Sequence, residues 1–278
     1  MGTLYLVATP IGNLEDMSPR GVRILREAAL IAAEDTRHSG RLLAHFDIHT
    51  PLTSYFEHNK LSKLDKILAT LAEGDVALIS DAGTPTINDP GYELVQAALA
   101  AGHTVSPIPG ASAPLAALTA SGLPTDSFLY LGYLPRKASE RRSFLEDIKN
   151  LPYTLIFLET PHRLLDALAD MEAVLGERKM AVARELTKLH EEIWRGPVGA
   201  AREHFERNRP RGEFTLVVAG QAVSTESAQW TEDRLRLEIA SGLGGDERPS
   251  ALARRLSAES GWERRVVYQM AQEIADRD

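Results

Sequence analysis

The order of apolar and polar positions along the chain predicts strands that alternate with helices in the first 122 residues. Nearly continuous apolar runs, at 30–33 and 76–80 for example, are typical of strands that are buried on both faces. Between such runs, apolar residues recur at every third or fourth position, which predicts helices with one buried face. Ser18 and Pro19 mark the start of the first helix, since serine is a preferred N-cap and proline a preferred first residue. The pattern therefore predicts a parallel sheet with helices on both faces.

The second half of the chain contains strands that follow one another more closely. The segment at 123–126, Leu-Pro-Thr-Asp, predicts a hinge after the first half. The strands predicted beyond it are 128–131, 154–158, 180–184, 192–195 and 214–219, with helices near 140–149, 163–175 and 198–207. Because some of these strands have little chain between them, we expect this sheet to be mixed.

The pattern becomes wholly helical after a polar stretch at 221–229 that is typical of a linker. Helices predicted at 232–240, 249–259 and 262–274, with Gly261 between the last two, resemble a helix-turn-helix unit. We therefore predict an α/β fold of two domains, 1–122 and 123–222, followed by a small helical extension at 231–278.

Composition narrows the class of protein. The 278 residues include no cysteine, which excludes disulfides and thiolate metal sites and is typical of a reducing cytoplasm. No apolar run approaches ~18 residues and no basic segment precedes an apolar one at the start, so we expect neither a membrane span nor a signal peptide. The formal net charge of −8 argues against a protein that coats nucleic acid over its whole surface, but it does not exclude local basic patches.

Several common catalytic motifs are missing from the sequence. The loop after the first strand holds one glycine, Gly12, instead of a dinucleotide-binding pattern, and neither a P-loop nor a serine nucleophile elbow occurs. His45 and His49 stand four residues apart, but no third ligand lies near them in sequence, so we expect no metal site. Transfer assisted by an organic cofactor fits this sequence better than covalent catalysis.

The richest candidate segment is the loop 80–91, which follows a buried strand and holds two aspartates, two glycines and two prolines. At the carboxyl end of a strand, Asp81 is placed to hold a ribose diol or an amine. Asp89 has a simpler explanation as the N-cap of the next helix, with Pro90 at the first helical position. Ser112, after the next strand, is predicted to cap a helix whose free N–H groups bind an anion.

Eight motifs occur in the order in which a known family carries them. They lie at 9–13, 34–37, 80–91, 109–112, 132–137, 159–163, 184–188 and 212–215. Together they resemble the ribosomal RNA 2′-O-methyltransferases of the tetrapyrrole methylase superfamily, from Leu4 to about Gly220, and the helical extension resembles theirs as well. Tyr133 and Asn88 are mild departures, since phenylalanine and serine are common at these positions.

This resemblance implies two α/β domains with S-adenosylmethionine in the cleft between them, a homodimer, and methylation of a cytidine 2′-hydroxyl in 16S rRNA of the small ribosomal subunit. In the first domain, the positions that correspond to cofactor-binding residues are Pro10, Asp81, Ala82, Gly83, Thr84, Ser112 and Ala113. In the second domain, the positions that wall the adenine side are Glu159, Leu186, Phe214 and Thr215. A sulfonium cation favours carboxylates and carbonyl oxygens as neighbours, because an unpaired buried charge is costly.

Two charged residues are candidates for the catalytic chemistry. A ribose 2′-hydroxyl is a poor nucleophile when neutral, so its methylation requires in-line placement and stabilisation of a developing alkoxide. We predict Glu185 as the base or the group that orients it, and Lys188 as its electrostatic partner. A structural ion pair at the domain junction explains the same two residues equally well. Asp35 and Arg37 form another candidate pair, with a structural or RNA-positioning role.

RNA requires positive surface, and clusters of basic residues supply it locally in spite of the acidic balance. The residues predicted to contact RNA are Arg37, Arg136, Lys137, Arg163, Arg254 and Arg255. Solvated helix faces are the alternative explanation of these clusters. Two other functions stay open: methylation of a tetrapyrrole precursor or another small or protein substrate, and RNA binding without catalysis. The helical extension and the motifs at 34–37 and 159–163 count against the first, and the complete loop 80–91 counts against the second.

Overall fold

A computed structural model of the chain describes residues 2–56, 60–222, 230–245 and 247–275. These residues divide into two compact units, one on each side of the bond between Gln221 and Ala222. The first unit contains two five-stranded sheets and the second contains only helices. No helix within the described ranges is long and apolar enough to cross a membrane.

The first sheet is entirely parallel, as predicted from its continuous apolar strands. Its strands are β1 (Thr3–Val7), β2 (Leu30–Ala33), β3 (Leu52–Ser54), β4 (Val76–Ile79) and β5 (Thr104–Ile108), in the order β3-β2-β4-β1-β5. Helices α1 (Pro19–Glu27) and α2 (Thr36–His45) pack on one face, and α3 (Lys60–Glu73) and α4 (Tyr92–Ala100) pack on the other. The Ser18 hydroxyl accepts the Gly21 N–H at 3.0 Å, which confirms the predicted start of α1.

Burial on both faces explains why these strands lack alternation. In β1, the Leu4 side chain packs with the α3 and α4 layer, whereas Val7 packs with the α1 and α2 layer. Successive side chains of a strand point to opposite faces, so each face of this sheet must be apolar. The arrangement also places the carboxyl ends of all five strands at one edge, where their loops meet.

The second sheet is mixed, as predicted. Its strands are β6 (Phe128–Tyr133), β7 (Thr154–Glu159), β8 (Lys179–Arg184), β9 (Glu192–Pro197) and β10 (Phe214–Val218), in the order β6-β7-β10-β8-β9. Only β6 and β7 are parallel, and the other neighbouring pairs are antiparallel. Helices α6 (Ala138–Ile148), α7 (Leu164–Leu175) and α8 (Val198–Arg207) supply the apolar layer on one face.

The opposite face of the second sheet is covered by α5 (Ala113–Ser121), a helix that comes from the first predicted domain. Ala117 and Leu118 of α5 are fully or almost fully buried against Ile156, Ala181 and Val217 of the sheet. The boundary predicted at residue 122 therefore falls between this helix and the hinge, although its packing joins α5 to the second sheet. The two α/β halves consequently share one compact unit.

The second unit consists of three helices with a small core of their own. They are α9 (Glu232–Gly244), α10 (Pro249–Ser260) and α11 (Arg264–Ala275), and Leu235, Ile239, Leu252 and Val267 are among the buried residues between them. Gly261 ends α10 in the left-handed region, with φ of 71°, a conformation that glycine adopts at little cost. Most of the predicted linker at 221–229 lies outside the described residues.

Candidate functional site

The loops that follow β1, β4 and β5 meet at the carboxyl edge of the first sheet. Thr9 and Gly83 join the first two loops through paired backbone hydrogen bonds of 2.9 and 3.0 Å. The Thr84 hydroxyl donates to the Ala111 carbonyl at 3.2 Å, which ties in the third loop. Gly83 has φ of 84°, so a residue with a side chain would be strained at this junction. The sequence-predicted segments 9–13, 80–91 and 109–112 are therefore brought together.

A cavity of about 280 Å³ lies between these loops and the second sheet, and we call it the acidic cavity. Its lining consists of Ile11, Glu34, Asp81, Ala82, Gly83, Thr84, Ile87, Asn88, Asp89, Ser112, Ala113, Pro114, Tyr130, Tyr133, Leu158, Glu159, Glu213, Phe214 and Thr215. All predicted cofactor-binding residues except Pro10 and Leu186 are in this set. Leu186 is buried in the apolar cluster beneath α5, outside the cavity.

The charged side chains that line the acidic cavity are all carboxylates among the described residues. Among the described residues that line it there are five carboxylates and no lysine or arginine. Glu159 is buried, and its Oε1 accepts the Thr160 N–H at 2.8 Å while its Oε2 has no hydrogen-bond partner in the described part. Burial raises the pKa of Glu159, against the opposing effects of the Thr160 hydrogen bond and the Arg163 charge. Arg163 Nη2 lies 3.5 Å from Glu159 Oε2, outside the lining. With five carboxylates and no lysine or arginine in its described lining, the cavity favours a ligand that carries positive charge.

Asp89 does not cap a helix, so that part of the sequence analysis is wrong. Helix α4 begins at Tyr92 with Gly91 as its N-cap. Gly91 has φ of 141°, and a side chain there would collide with Leu78 and Thr86. The turn therefore extends two residues beyond Asp89, whose carboxyl group faces the acidic cavity instead.

Burial raises the pKa of Asp89 to about 6, a hydrogen bond from Ser80 opposes the shift, and the charges of Glu34 and Asp81 add to it. The ionised group therefore destabilises the fold above about pH 6. We expect Asp89→Asn to stabilise the ligand-free protein at pH 8 by about 1 kcal/mol, a value reduced for partial solvent screening. The gain disappears as the pH falls below about 4, where the carboxyl group is protonated in both states.

Urea titrations at pH 8 and pH 4 measure this difference in the free energy of unfolding. Asp126→Asn is the matched control, because Asp126 is exposed and lies outside the cavity. The explanation fails if Asp89→Asn has the same effect at both pH values.

A second cavity, of about 320 Å³, adjoins the first, and we call it the α2 cavity because α2 forms one of its walls. Its lining consists of Thr9, Pro10, Ile11, Gly12, Leu14, His38, Ser39, Arg41, Leu42, Ser80, Asp81, Ala82, Lys188 and Glu213. Ile11, Asp81, Ala82 and Glu213 line both cavities. Pro10, which the resemblance places near the cofactor, lies on the α2 side.

The predicted catalytic pair forms an ion pair beside the α2 cavity. Lys188 Nζ lies 3.0 Å from Glu185 Oε1 and 3.2 Å from Glu213 Oε2, and Glu185 Oε1 also accepts the Glu213 N–H. Burial acts to raise the pKa of Glu185, but the hydrogen bonds from Lys188 and Glu213 outweigh it and the pKa is lowered. A carboxylate with a lowered pKa is a weak base. The geometry thus agrees with an ion pair in which Glu185 holds Lys188 in place.

The residues predicted to contact RNA differ in how they are placed. Arg37, Arg136 and Lys137 are exposed, although Arg37 is bound to the Asp35 carboxylate. Arg163 is largely buried, where it donates to the carbonyls of Leu134 and Pro135 and pairs with the carboxylate of Glu159. Its guanidinium is therefore occupied by the protein itself.

In the helical unit, Arg254 and Arg255 are exposed on α10. Arg255 forms an ion pair with Glu247 at 2.7 Å, which offsets its charge. Arg254 and Arg264 line the same shallow surface cavity and form no ion pair within the described residues, so they are freer than Arg255 to bind an anionic partner.

Sequence reasoning missed several residues that line the two cavities. Glu34 and Asp89 add charge to the acidic cavity, and His38, Ser39 and Arg41 form the α2 wall. The motif at 34–37 could have indicated the α2 wall, because Asp35 is a typical N-cap and is the N-cap of α2 in the structure. His38, Ser39 and Arg41 belong to the first two turns of that helix. The His45 and His49 pair does not share a helix face, since α2 ends at His45.

The family model described as Tetrapyrrole (Corrin/Porphyrin) Methylases matches residues 3–202. The chain is 49% identical over 276 residues to "Ribosomal RNA small subunit methyltransferase I" of Synechocystis sp., a match that covers 99% of each chain. It is 53% identical over 232 residues to the protein of that name from Halalkalibacterium halodurans, covering 82% of this chain and 80% of the other. Uroporphyrin-III-C-methyltransferase from Thermus thermophilus has a similar structure, with a TM-score of 0.54 at 21% identity over 82% of this chain and 98% of that chain. The structural likeness supports the fold alone.

Proposed function

Since the chain belongs to the tetrapyrrole (corrin/porphyrin) methylase family, and within it to the proteins named ribosomal RNA small subunit methyltransferase I, we propose that it methylates ribosomal RNA. The methyl donor is S-adenosylmethionine, and the acceptor is the 2′-hydroxyl of a cytidine in 16S rRNA. The observation that carries this proposal is the identity of about half the residues over 99% of the chain to a relative of that name. A tetrapyrrole precursor as substrate has in its favour the description of the family model and a likeness of fold at 21% identity, and no relative of comparable identity.

The acidic cavity fits S-adenosylmethionine by its chemistry. The cofactor carries a sulfonium and an ammonium group against a single carboxylate, and the described lining offers five carboxylates without a lysine or arginine. Asp81 with the backbone of Ala82–Thr84 would hold the ribose and methionine portion, and Ser112 and Ala113 offer N–H groups at the start of α5. Glu159, Phe214 and Thr215 would enclose the adenine side. When bound, the cofactor supplies an electrophilic methyl group.

The chain itself must position the hydroxyl and stabilise the charge that develops on it. Lys188 lines the α2 cavity, and its Nζ is fixed by Glu185 and by Glu213, a residue that lines both cavities. A fixed ammonium group near the acceptor stabilises a developing alkoxide, and it needs no rearrangement during the reaction. In this proposal Glu185 is the group that orients Lys188.

RNA contacts are proposed for the exposed basic residues. Arg37, Arg136 and Lys137 belong to the α/β unit, and Arg254 and Arg255 belong to the helical unit. Arg163 contributes through the protein instead, because it holds the carbonyl groups that precede Arg136. We also propose that the enzyme acts as a homodimer in the cytoplasm, as the resemblance implies.

Nucleoside mass spectrometry of 16S rRNA from a strain that lacks this protein tests the function. We expect 2′-O-methylcytidine to disappear and to return when the wild-type gene is supplied. In vitro, the Lys188→Met enzyme should methylate 16S rRNA from the deletion strain at least tenfold more slowly than the wild type does. The affinity of this variant for S-adenosylhomocysteine should stay unchanged. An undiminished level of 2′-O-methylcytidine in the deletion strain would contradict the proposal.

A further inference from the structure

The α2 cavity contains a buried hydroxyl group without a partner. Ser39 is 1% exposed, and its Oγ has no hydrogen-bond partner among the described residues. A serine inside a helix ordinarily bonds to a carbonyl one turn back, but only the Ser39 N–H is bonded to the carbonyl of Asp35. Buried polar groups are nearly always satisfied, so an unpaired one that lines a cavity points to a ligand.

The charges of the two cavities are different. His38 and Arg41 lie on the same wall as Ser39, and neither forms an ion pair or a side-chain hydrogen bond within the described ranges. Together with Lys188 they give the α2 cavity positively charged or ionisable groups that the acidic cavity lacks. Asp81 and Glu213 line the α2 cavity as well, and Lys188 is paired with Glu213, so Arg41 is the cation of its described lining that is left to attract an anion. A cationic ligand is therefore favoured in the acidic cavity, and an anionic group is favoured beside Arg41 in the α2 cavity.

The remaining wall of the α2 cavity is apolar. Pro10, Leu14 and Leu42 face the same space as the Ser39 hydroxyl. The volume of about 320 Å³ is within the range of small-molecule sites, roughly 300–1,000 Å³. Apolar walls, one polar contact and a nearby cation suit an unstacked nucleotide of RNA, whose base gains from apolar contact and whose phosphate gains from positive charge.

We propose that the α2 cavity receives the acceptor nucleotide, with its base between Leu14 and Leu42, a polar edge of the base on Ser39 Oγ and its phosphate near Arg41. This inference rests on the proposed function and names the place of its RNA substrate. Asp81 and Ala82 line both cavities, so a nucleotide held here has its ribose at the wall beyond which the methyl donor lies. The arrangement gives the two reactants separate sites with one common boundary.

Two substitutions, Leu14→Trp and Ser39→Ala, test the α2 cavity without altering the acidic cavity. Leu14→Trp introduces bulk at the edge of the α2 cavity, where Leu14 is 41% exposed and outside the acidic cavity. Leu99→Trp is the matched control, because Leu99 is 57% exposed on α4 and lines neither cavity. Ser39→Ala removes only the hydroxyl group, and it leaves no buried polar atom unpaired.

Isothermal calorimetry with cytidine 5′-monophosphate, added to protein saturated with S-adenosylhomocysteine, measures occupancy of the α2 cavity. We expect Leu14→Trp to weaken binding of the nucleotide at least tenfold and Ser39→Ala to weaken it roughly three- to tenfold. Leu99→Trp should have no effect, and all three variants should bind S-adenosylhomocysteine as the wild type does. In methylation of small ribosomal subunits, Leu14→Trp should raise KM for the subunit.

The outcomes distinguish this proposal from the one on which it rests. If wild-type protein binds S-adenosylhomocysteine and methylates the subunit, but Leu14→Trp and Ser39→Ala bind the nucleotide as well as Leu99→Trp does, the acceptor site is elsewhere. If the wild type binds no S-adenosylhomocysteine at all, the proposed function itself is overturned. Loss of S-adenosylhomocysteine binding in Leu14→Trp alone would show that the two cavities are not separate, which also contradicts this inference.

Discussion

Asp81→Ala is expected to lower the affinity for S-adenosylmethionine by about 100-fold, and methylation at subsaturating cofactor by the same factor. Asp81 lies two residues beyond the end of β4 and lines both cavities. Its carboxylate accepts the Asp35 N–H at 3.1 Å, so one oxygen is fixed by the protein and the group keeps its orientation. A charged hydrogen bond to a ligand contributes roughly 1.5–3 kcal/mol, which corresponds to a factor of 10 to 150 in affinity. Calorimetric titration of the cofactor measures the change directly.

Asp75→Ala provides the matched control, because Asp75 precedes β4 as Asp81 follows it. The Asp75 carboxylate accepts the Thr3 N–H at 2.7 Å, at the opposite edge of the same sheet. Its removal should cost stability without a change in cofactor affinity. Equal losses of affinity in the two variants would show that the effect comes from the sheet and not from the site, and near-native affinity in Asp81→Ala would show that the cofactor lies elsewhere.

The sequence predicts the parallel sheet well because burial on both faces leaves a simple signature, a continuous apolar run. It does not predict β3, since Leu52, Thr53 and Ser54 form a strand of three residues with only one large apolar side chain. That strand pairs with β2 at an edge of the sheet, so its placement depends on a neighbour distant in sequence. Short edge strands of this kind are decided by tertiary contacts, which no local pattern contains.

In the candidate site too, some residues are predictable from local sequence pattern and others depend on tertiary contacts. Asp81 and Gly83 were predicted because they follow a strand in a loop rich in glycine and proline, and the loop does line the cavity. Ser39 could not be predicted, because a single serine in a polar helix gives no sign of whether its hydroxyl is paired. The role of Asp89 was predicted wrongly because it depends on where α4 begins. Pro90 favours a helix that starts at Pro90, but the backbone turns at Gly91 and the helix starts at Tyr92.

Of the two departures from the family pattern, Asn88 also acquires a structural explanation. Asn88 has φ of 62°, a left-handed conformation that asparagine tolerates better than most residues. Its Oδ1 accepts the Tyr130 hydroxyl at 2.6 Å, and so links the loop of the first sheet to the second sheet. Tyr133 lies in the lining of the acidic cavity close to this link. The substitutions therefore occur where the two halves of the α/β unit meet around the site.

Stability is expected to depend most strongly on a buried ion pair whose residues line neither cavity. Asp170→Ala should lower the free energy of unfolding by about 3–5 kcal/mol, because it leaves the buried guanidinium of Arg141 without a counter-charge. Arg141 Nε lies 2.6 Å from Asp170 Oδ2, and Arg142 binds the other carboxylate oxygen. Arg141 also donates to the Arg136 carbonyl at 3.2 Å, so the same substitution loosens the segment that presents Arg136 and Lys137.

Urea denaturation measures the loss, and Arg142→Ala is the control. Arg142 is mostly exposed and bonds the same carboxylate, so its removal should cost no more than about 1 kcal/mol. The double variant Arg141→Met with Asp170→Leu removes both buried charges and should recover much of the stability, since an apolar pair of similar volume avoids their desolvation. A loss below 1 kcal/mol in Asp170→Ala would mean that water reaches Arg141 and that this part of the second sheet is less well packed than its burial indicates. RNA binding by the same variants tests the second role of the ion pair. If the double variant regains stability but still binds RNA more weakly than the wild type, the ion pair positions Arg136 and Lys137 for the substrate in addition to stabilising the fold.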